Sequence, residues 1–243
     1  MTLPSGETLD AIIIALRANG FVRLEALAMS RLLGEDARAN WESFCALWEH
    51  LGTDLYMADG GRYRRRRYAA FACSDQSVTR KPHQPHYQSR DYNALNGGVQ
   101  RWFEPVTTET EQHPVTRAIL ALCAAIFTAA ETRPGQAQWS IEFHQFRIET
   151  SPDQIGRPTP EGLHRDGVDW VFVMLLRREN VRDGLTVIGA PDGSKLGSFL
   201  LGDPGDAVLL DDHRILHGVT EIHAVDPALP AYRDVLVVTF TRE

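Results

Sequence analysis

From Trp139 to the end of the chain, short runs rich in Val, Ile, Leu, Phe and Thr follow one another with no helical period between them. They fall at 140–149, 168–176, 185–189, 197–201, 207–210, 217–223 and 234–241, and Gly, Pro and Asp punctuate the gaps. A parallel sheet joins neighbouring strands by crossovers of a dozen residues or more, usually helical, and no helix is legible in these gaps. The segment is therefore expected to close on itself as a barrel, a sandwich or a jelly roll.

The first half of the chain reads differently. Ile12, Ile13 and Leu16, followed by Gly20, mark a short amphipathic helix with a glycine stop, and Gly20-Phe-Val-Arg-Leu then reads as a strand. Trp41, Phe44, Trp48 and Leu51 recur at spacings of 3, 4 and 3, which predicts a helix over 36–50 with those aromatics buried. Residues 53–112 have no sustained helical period but many Arg, Gly, Pro and aromatic residues, the pattern of strands and structured loops. A last helix should begin at Pro114 and stop before Pro134-Gly135, burying Val115, Ile119, Leu122, Cys123 and Ile126. No internal repeat or linker is evident. The expectation is one domain over 1–243, mainly β with buttressing helices: a helical and loop-rich part at 1–135 and a β core at 136–243.

Charge and composition narrow the function. The chain of 243 residues carries 25 Lys+Arg against 32 Asp+Glu, a net charge of −7, the wrong sign for a partner of nucleic acid or an anionic membrane. The five arginines of 62–67 are flanked within and beside the run by Tyr63 and Tyr68 and fit a solvated or pocket-lining strand better than a nucleic-acid patch. The longest apolar stretch, 118–130, is too short to span a bilayer, and the first ten residues lack the basic start of a signal peptide. Cys45, Cys73 and Cys123 lie far apart without a CxxC pair, so neither a disulfide framework nor a cysteine zinc site is indicated. A cytoplasmic protein acting on a small molecule is expected, with its oligomeric state open.

The chemistry concentrates in two segments. In Glu161-Gly-Leu-His164-Arg-Asp166-Gly, which leads into a strand, His164 and Asp166 are two apart and point to one side of an extended chain. An imidazole and a carboxylate can thus share one ion, and His217, at the start of a later strand, can supply a third ligand. Two His and one carboxylate on one face, with the opposite positions open, is the ligand set of non-haem Fe(II) oxygenases. Arg233 opens the last strand, where a guanidinium could take a carboxylate bidentately or instead form a rim ion pair with Asp234 or Asp226. His213 reads as a loop or ligand-supporting residue and His144 as a core or ligand-supporting one. Motifs of serine hydrolases, zincins and dinucleotide enzymes are absent, and the glycines of 189–195 are wrongly spaced for a phosphate loop and read as a β-turn.

With these residues the sequence resembles the Fe(II)/2-oxoglutarate-dependent dioxygenases, in particular the bacterial branch that includes free L-isoleucine hydroxylases. The matching stretches are Tyr63-Arg-Arg-Arg-Arg-Tyr, His86-Tyr-Gln-Ser, Asn93-Ala-Leu-Asn-Gly-Gly, His144-Gln-Phe-Arg-Ile, the His164 and Asp166 segment, His217-Gly-Val-Thr and Tyr232-Arg233-Asp-Val-Leu, over roughly 50–243. The resemblance implies a double-stranded β-helix, a cupin-like jelly-roll relative, with Fe(II) held by His164, Asp166 and His217. It also implies Arg233 on the distal carboxylate of 2-oxoglutarate, O₂ as the other cosubstrate, and hydroxylation of a small substrate such as a free L-amino acid or a derivative. A non-catalytic cupin-like protein that binds a metal or small molecule, or regulates, would keep the same pocket without turnover.

An amino-acid substrate would need an anion contact distinct from Arg233. Strand alternation puts Arg64 and Arg66 on one face and Arg65 and Arg67 on the other, and Arg165 should point away from its two ligand neighbours. Arg64 and Arg66 are the candidates, with His86, Gln88 and Asn93 as further polar pocket residues.

Overall fold

The computed structural model describes residues 2–3, 8–75 and 77–243. In chain order the elements are β1 (Thr2–Leu3), α1 (Leu9–Asn19), β2 (Phe21–Leu24), α2 (Ala26–Ala39), α3 (Trp41–Ala46), β3 (Gly52–Thr53), β4 (Arg64–Ser74), β5 (Ser77–Arg80), α4 (Thr108–Gln112) and α5 (Pro114–Ala130). The second half is all strand: β6 (Trp139–Thr150), β7 (Trp170–Glu179), β8 (Val181–Asp183), β9 (Thr186–Gly189), β10 (Lys195–Phe199), β11 (Ala207–Asp211), β12 (Leu216–Val219), β13 (Ile222–Ala224) and β14 (Ala231–Arg242).

One large sheet runs β1-β2-β11-β7-β14-β6-β4-β3 with β5 added on β4, and a smaller one runs β10-β9-β12. Every pairing in them is antiparallel except β1 with β2. This is the jelly-roll arrangement expected for the β core. Strands β2 to β5 precede residue 135 yet extend the same sheet, so the first part of the chain also builds the wall of the site.

Period-2 alternation gives the large sheet two different faces. Ile141 and Phe143 of β6, Phe172 and Met174 of β7, and Leu236, Val238 and Phe240 of β14 point outward, where they pack on Ile12 and Leu16 of α1, Phe44 of α3, Trp48, and Ile119, Cys123 and Phe127 of α5. Each such side chain contributes about 1.5–3 kcal/mol by leaving water, which is why the helices are held on this face. The Trp48 indole N–H adds hydrogen bonds to the carbonyls of Phe146 and Val235, both 3.2 Å. The opposite face is apolar only in part. Val171, Leu175, Val208, Leu210 and Val235 meet Ile188 of the small sheet, together with Leu201 and Ile215.

The first helix ends as expected, at Gly20 in a left-handed conformation (φ +77°) whose amide donates to the Leu16 carbonyl. The helix expected over 36–50 is corrected. Helix α2 already begins at Ala26, bends at Gly34 (φ +85°) and stops at Ala39, and α3 ends at Ala46. The start was hidden because α2 buries only Ala28, Met29 and Ala37, too few residues for a clear apolar period. Its predicted face survives: Phe44, Trp48 and Leu51 are buried and Trp41 packs against them in part. The expected strand 217–223 is two strands, since β12 pairs with β9 and β13 with β8. The turn at 190–193 is present, closed by the Gly193 amide on the Ala190 carbonyl.

Candidate active site

The inner face of the large sheet borders a cavity of about 460 Å³. Its wall is laid out by strand register. Across β14, β6 and β4, Arg233, Ile148 and Arg64 form one row, Val235, Phe146 and Arg66 the next, Val237, His144 and Tyr68 a third, and Thr239, Glu142 and Ala70 a fourth. Polar side chains thus interrupt an apolar strip at fixed intervals. The other wall comes from 158–168 and β12, with Pro158, Thr159, Glu161, His164, Asp166, His217 and Val219.

His164 and His217 are brought face to face by a two-residue bridge: the His164 amide donates to the His217 carbonyl at 3.0 Å and the reverse bond is 2.9 Å. Asp166 is positioned by Asp212, whose buried carboxylate accepts the amides of Asp166 (3.0 Å), Gly167 (2.8 Å) and Val168 (3.2 Å). His164 Nε2 lies 3.5 Å from Asp166 Oδ1, and His217 Nε2 lies 3.5 Å from Asp166 Oδ2. His164 Nδ1 donates to the Gly162 carbonyl at 3.0 Å, so whenever the ring is neutral its lone pair is on Nε2, the nitrogen that faces Asp166. These spacings are long for hydrogen bonds and fit three donors around one ion, since bonds of about 2.1 Å put neighbouring ligand atoms roughly 3 Å apart. Burial opposes charge on His164, but Asp166 and Glu161 outweigh it and raise its pKa to about 9. Burial likewise opposes ionisation of Asp166, and the two imidazoles overcome it and hold the carboxyl well below its usual range. A site that draws a proton this strongly is built for a cation.

Arg233 is only 1% exposed, and neither its Nε nor its Nη2 has a hydrogen-bond partner among the described residues. The rim ion pair considered above does not form. Asp234 points to the other face of the sheet, where Arg147 binds it bidentately at 2.7 and 2.8 Å. The nearest register partner of Arg233 on β7 is another cation, Arg178. Burial, and then Arg178, lower the Arg233 pKa to about 9, still leaving it charged at neutral pH. An uncompensated buried guanidinium is a standing demand for an anion.

The five other candidate residues all line the same cavity. Alternation holds as expected, with Arg64 and Arg66 buried and Arg65 and Arg67 turned outward. Arg64 is neutralised by Asp54 at 2.8 Å. Arg66 donates to His144 Nδ1 at 2.6 Å, and His86 Nδ1 lies 3.0 Å from Glu142 Oε1. Gln88 donates to the Asp166 carbonyl at 3.0 Å, while its own Oε1 accepts from Asn93 at 3.0 Å and Arg101 at 3.5 Å. Arg165 lies near Tyr92, and His213 sits outside the cavity, on Asp169 at 2.8 Å. Arg101, Glu142, Glu161 and Asp212 escaped the sequence reading. Glu142 and Glu161 left a signal, the first two residues before His144 on one strand and the second three before His164 in the same motif.

His86, Glu142 and His144 also stand close enough to share an ion. Their protons argue otherwise. Because His144 Nδ1 accepts from Arg66, its Nε2 carries the hydrogen and faces Glu142 Oε2 at 3.5 Å, leaving no lone pair for a metal. Burial, with Arg66 adding to it, lowers the His144 pKa to about 4 and keeps this ring neutral.

A jelly roll with two imidazoles and a carboxylate converging at one end of its cavity defines a class, the non-haem iron oxygenases. The sequence profile of the 2OG-Fe dioxygenase family matches residues 45–239, and the chain belongs to that family. Its cofactor is accordingly Fe(II), with 2-oxoglutarate and O₂ as cosubstrates. The chain is 24% identical to an L-isoleucine-4-hydroxylase of Bacillus thuringiensis over 157 residues, 64% of this chain and 65% of that protein, so the match spans just under two thirds of that relative's length. It is also 24% identical to a 3(1)-hydroxy-L-isoleucine 4-dioxygenase of Pantoea ananatis (strain AJ13355), over 80% of this chain and 78% of the other. The solved structure of a bsmA homolog from Methylobium petroleophilum PM1 superposes with a TM-score of 0.89 at 38% identity, covering 98% of this chain and 94% of that one. No helix among the described residues is long and apolar enough to cross a membrane.

Proposed function

We propose that this dioxygenase hydroxylates a free L-amino acid or a close derivative, with Fe(II) held by His164, Asp166 and His217 and the distal carboxylate of 2-oxoglutarate held by Arg233. The observation that carries the reading is the pairing, in one cavity, of three convergent metal donors with a buried guanidinium that has no protein anion. Iron held by His164, Asp166 and His217 would supply the coupling of substrate oxidation to cosubstrate decarboxylation, by which substrate C–H, 2-oxoglutarate and O₂ would become alcohol, succinate and CO₂.

The chain's own residues divide the remaining tasks. His164, Asp166 and His217 approach from one side and leave the cavity side open for cosubstrate and oxygen. Arg233 orients 2-oxoglutarate through a charge-assisted bidentate contact. Val173, Val235, Val237 and Phe146 line the space between with apolar surface and exclude water from the reacting C–H bond. Arg64, Arg66, His86, Gln88 and Asn93 form the polar end for the substrate, with Arg66 as the anion contact because Arg64 is already paired. The names of the two isoleucine-directed relatives support an aliphatic amino acid.

The test is incubation with Fe(II), ascorbate, 2-oxoglutarate and a panel of amino acids, following succinate and product mass. At least one aliphatic amino acid should stimulate succinate release and gain one oxygen atom. Succinate at the substrate-free rate with every amino acid would overturn the substrate assignment, and no succinate at all would favour a binding protein.

A further inference from the structure

We infer that Arg66, Arg101 and Glu142 form a head-group dock that takes the carboxylate of the substrate on the two guanidiniums and its ammonium on Glu142, so that only substrates with both groups free are accepted. The inference rests on the amino-acid reading above and goes beyond it in excluding N-acylated, amidated and peptide forms.

The anion side follows from what is left unpaired. Arg66 and Arg101 are 3% and 2% exposed, both line the cavity, and the Nε of each lacks a hydrogen-bond partner. The Arg66 guanidinium lies 3.6 Å from the centre of the Phe103 ring and 4.4 Å from that of Phe146, which hold it in place by cation–π contact. Its contact to Asp54 is 3.7 Å, weak beside the 2.8 Å bond that Asp54 makes with Arg64. Among the described residues Arg101 has one side-chain hydrogen bond, a 3.5 Å contact to Gln88. Arg233 stands apart from them in the wall, on β14 where Arg66 is on β4, with β6 between and the two backbones roughly 10 Å apart across the sheet.

The cation side follows from the lone pairs of Glu142. Its Oε1 accepts from Tyr68 Oη at 2.8 Å and from His86 Nδ1 at 3.0 Å and is full, while Oε2 faces His144 Nε2 alone, at 3.5 Å. Two lone pairs per oxygen leave one acceptor position on Oε2, and Glu142 borders the cavity. Burial opposes its charge, but His86 and His144 outweigh burial and hold the carboxyl well below its usual range, so it is anionic at neutral pH. The His144 ring bridges Arg66 and Glu142, with 2.6 Å at one nitrogen and 3.5 Å at the other. Guanidinium and carboxylate thus stand one imidazole apart. An α-amino acid, with its two charges on one carbon and a hydrogen bond of about 2.8 Å beyond each, spans such a gap.

The experiment is calorimetric titration of the Fe(II)- and 2-oxoglutarate-loaded protein without oxygen. Probes are L-isoleucine, L-leucine, L-valine and L-methionine, each beside its N-acetyl, amide and des-amino forms. The free amino acid that binds best should exceed its three derivatives by roughly 30-fold to over 1,000-fold, the range for leaving one partner of a buried charge pair unpaired. Glu142→Gln should erase the preference over the des-amino acid and keep that over the amide, and Arg101→Leu should weaken the latter. Derivatives that bind as well as the free acid would overturn the dock and leave the amino-acid reading standing. Absence of binding by all four amino acids would overturn both. The wild-type series needs no variant, so a misfolded substitution does not shield the inference.

Discussion

Replacing Arg233 by Leu separates the two states of that residue by sign. Without 2-oxoglutarate the wild-type protein bears a guanidinium that is 1% exposed and has no anion. Burying an unpaired charge costs several kcal/mol, so Arg233→Leu should leave the melting temperature of the cosubstrate-free protein unchanged or raise it. With the cosubstrate the sign reverses. At a 2-oxoglutarate concentration about 100 times its Kd, the wild type gains roughly 2.7 kcal/mol, about 5–10 °C for a chain of this size. Loss of a sheltered charge-assisted contact weakens binding by ~2–5 kcal/mol, a factor of roughly 30 to over 1,000. At the same concentration the variant then gains about 0.9 kcal/mol at most, a shift below about 4 °C. The assay is thermal unfolding of metal-loaded protein without oxygen, with and without 2-oxoglutarate, alongside the KM for 2-oxoglutarate. An undiminished 2-oxoglutarate shift and an unchanged KM would refute the assignment. A lower melting temperature in the cosubstrate-free variant would show that Arg233 is paired in a way the structure lacks.

Asp166→Ala removes the carboxylate that both imidazoles face, so Fe(II) affinity measured anaerobically should collapse while far-UV circular dichroism stays unchanged; undiminished iron affinity would exclude the triad. Gln88→Leu strips Asp166 of a positioning contact and should lower iron affinity by about 10–100-fold, the usual effect of losing a group that supports a ligand, and undiminished iron affinity would limit Gln88 to the substrate end of the cavity. The His144 pKa is about 4 in the folded chain, because of burial, against 6.5 when unperturbed, so between those values the unfolded chain binds more protons and stability falls as pH falls. Denaturant midpoints from pH 7 to 4.5 should therefore drop less steeply in His144→Gln than in wild type, and parallel slopes would reject the shift.

Much of the site is legible before folding because its geometry is local or periodic. His164 and Asp166 converge because they are two apart, and Arg64 and Arg66 face inward because alternation is a property of any strand. The outer apolar face of β6 and β14 and the glycine stop at Gly20 are local in the same sense. The second helix is misplaced because α2 buries only Ala28, Met29 and Ala37, too few apolar residues to show a period. Tertiary structure alone placed Asp212 under the Asp166 amide and Arg101 opposite His86, contacts that join residues 46 and 15 positions apart through loops without a period. It also decided charge state. Arg64 and Arg66 are identical in type and two residues apart, yet Asp54 binds one at 2.8 Å and stands 3.7 Å from the other, which donates to His144 instead. Sequence spacing sets direction along a strand, and only the fold brings the counter-charge that determines what a buried group still has to bind.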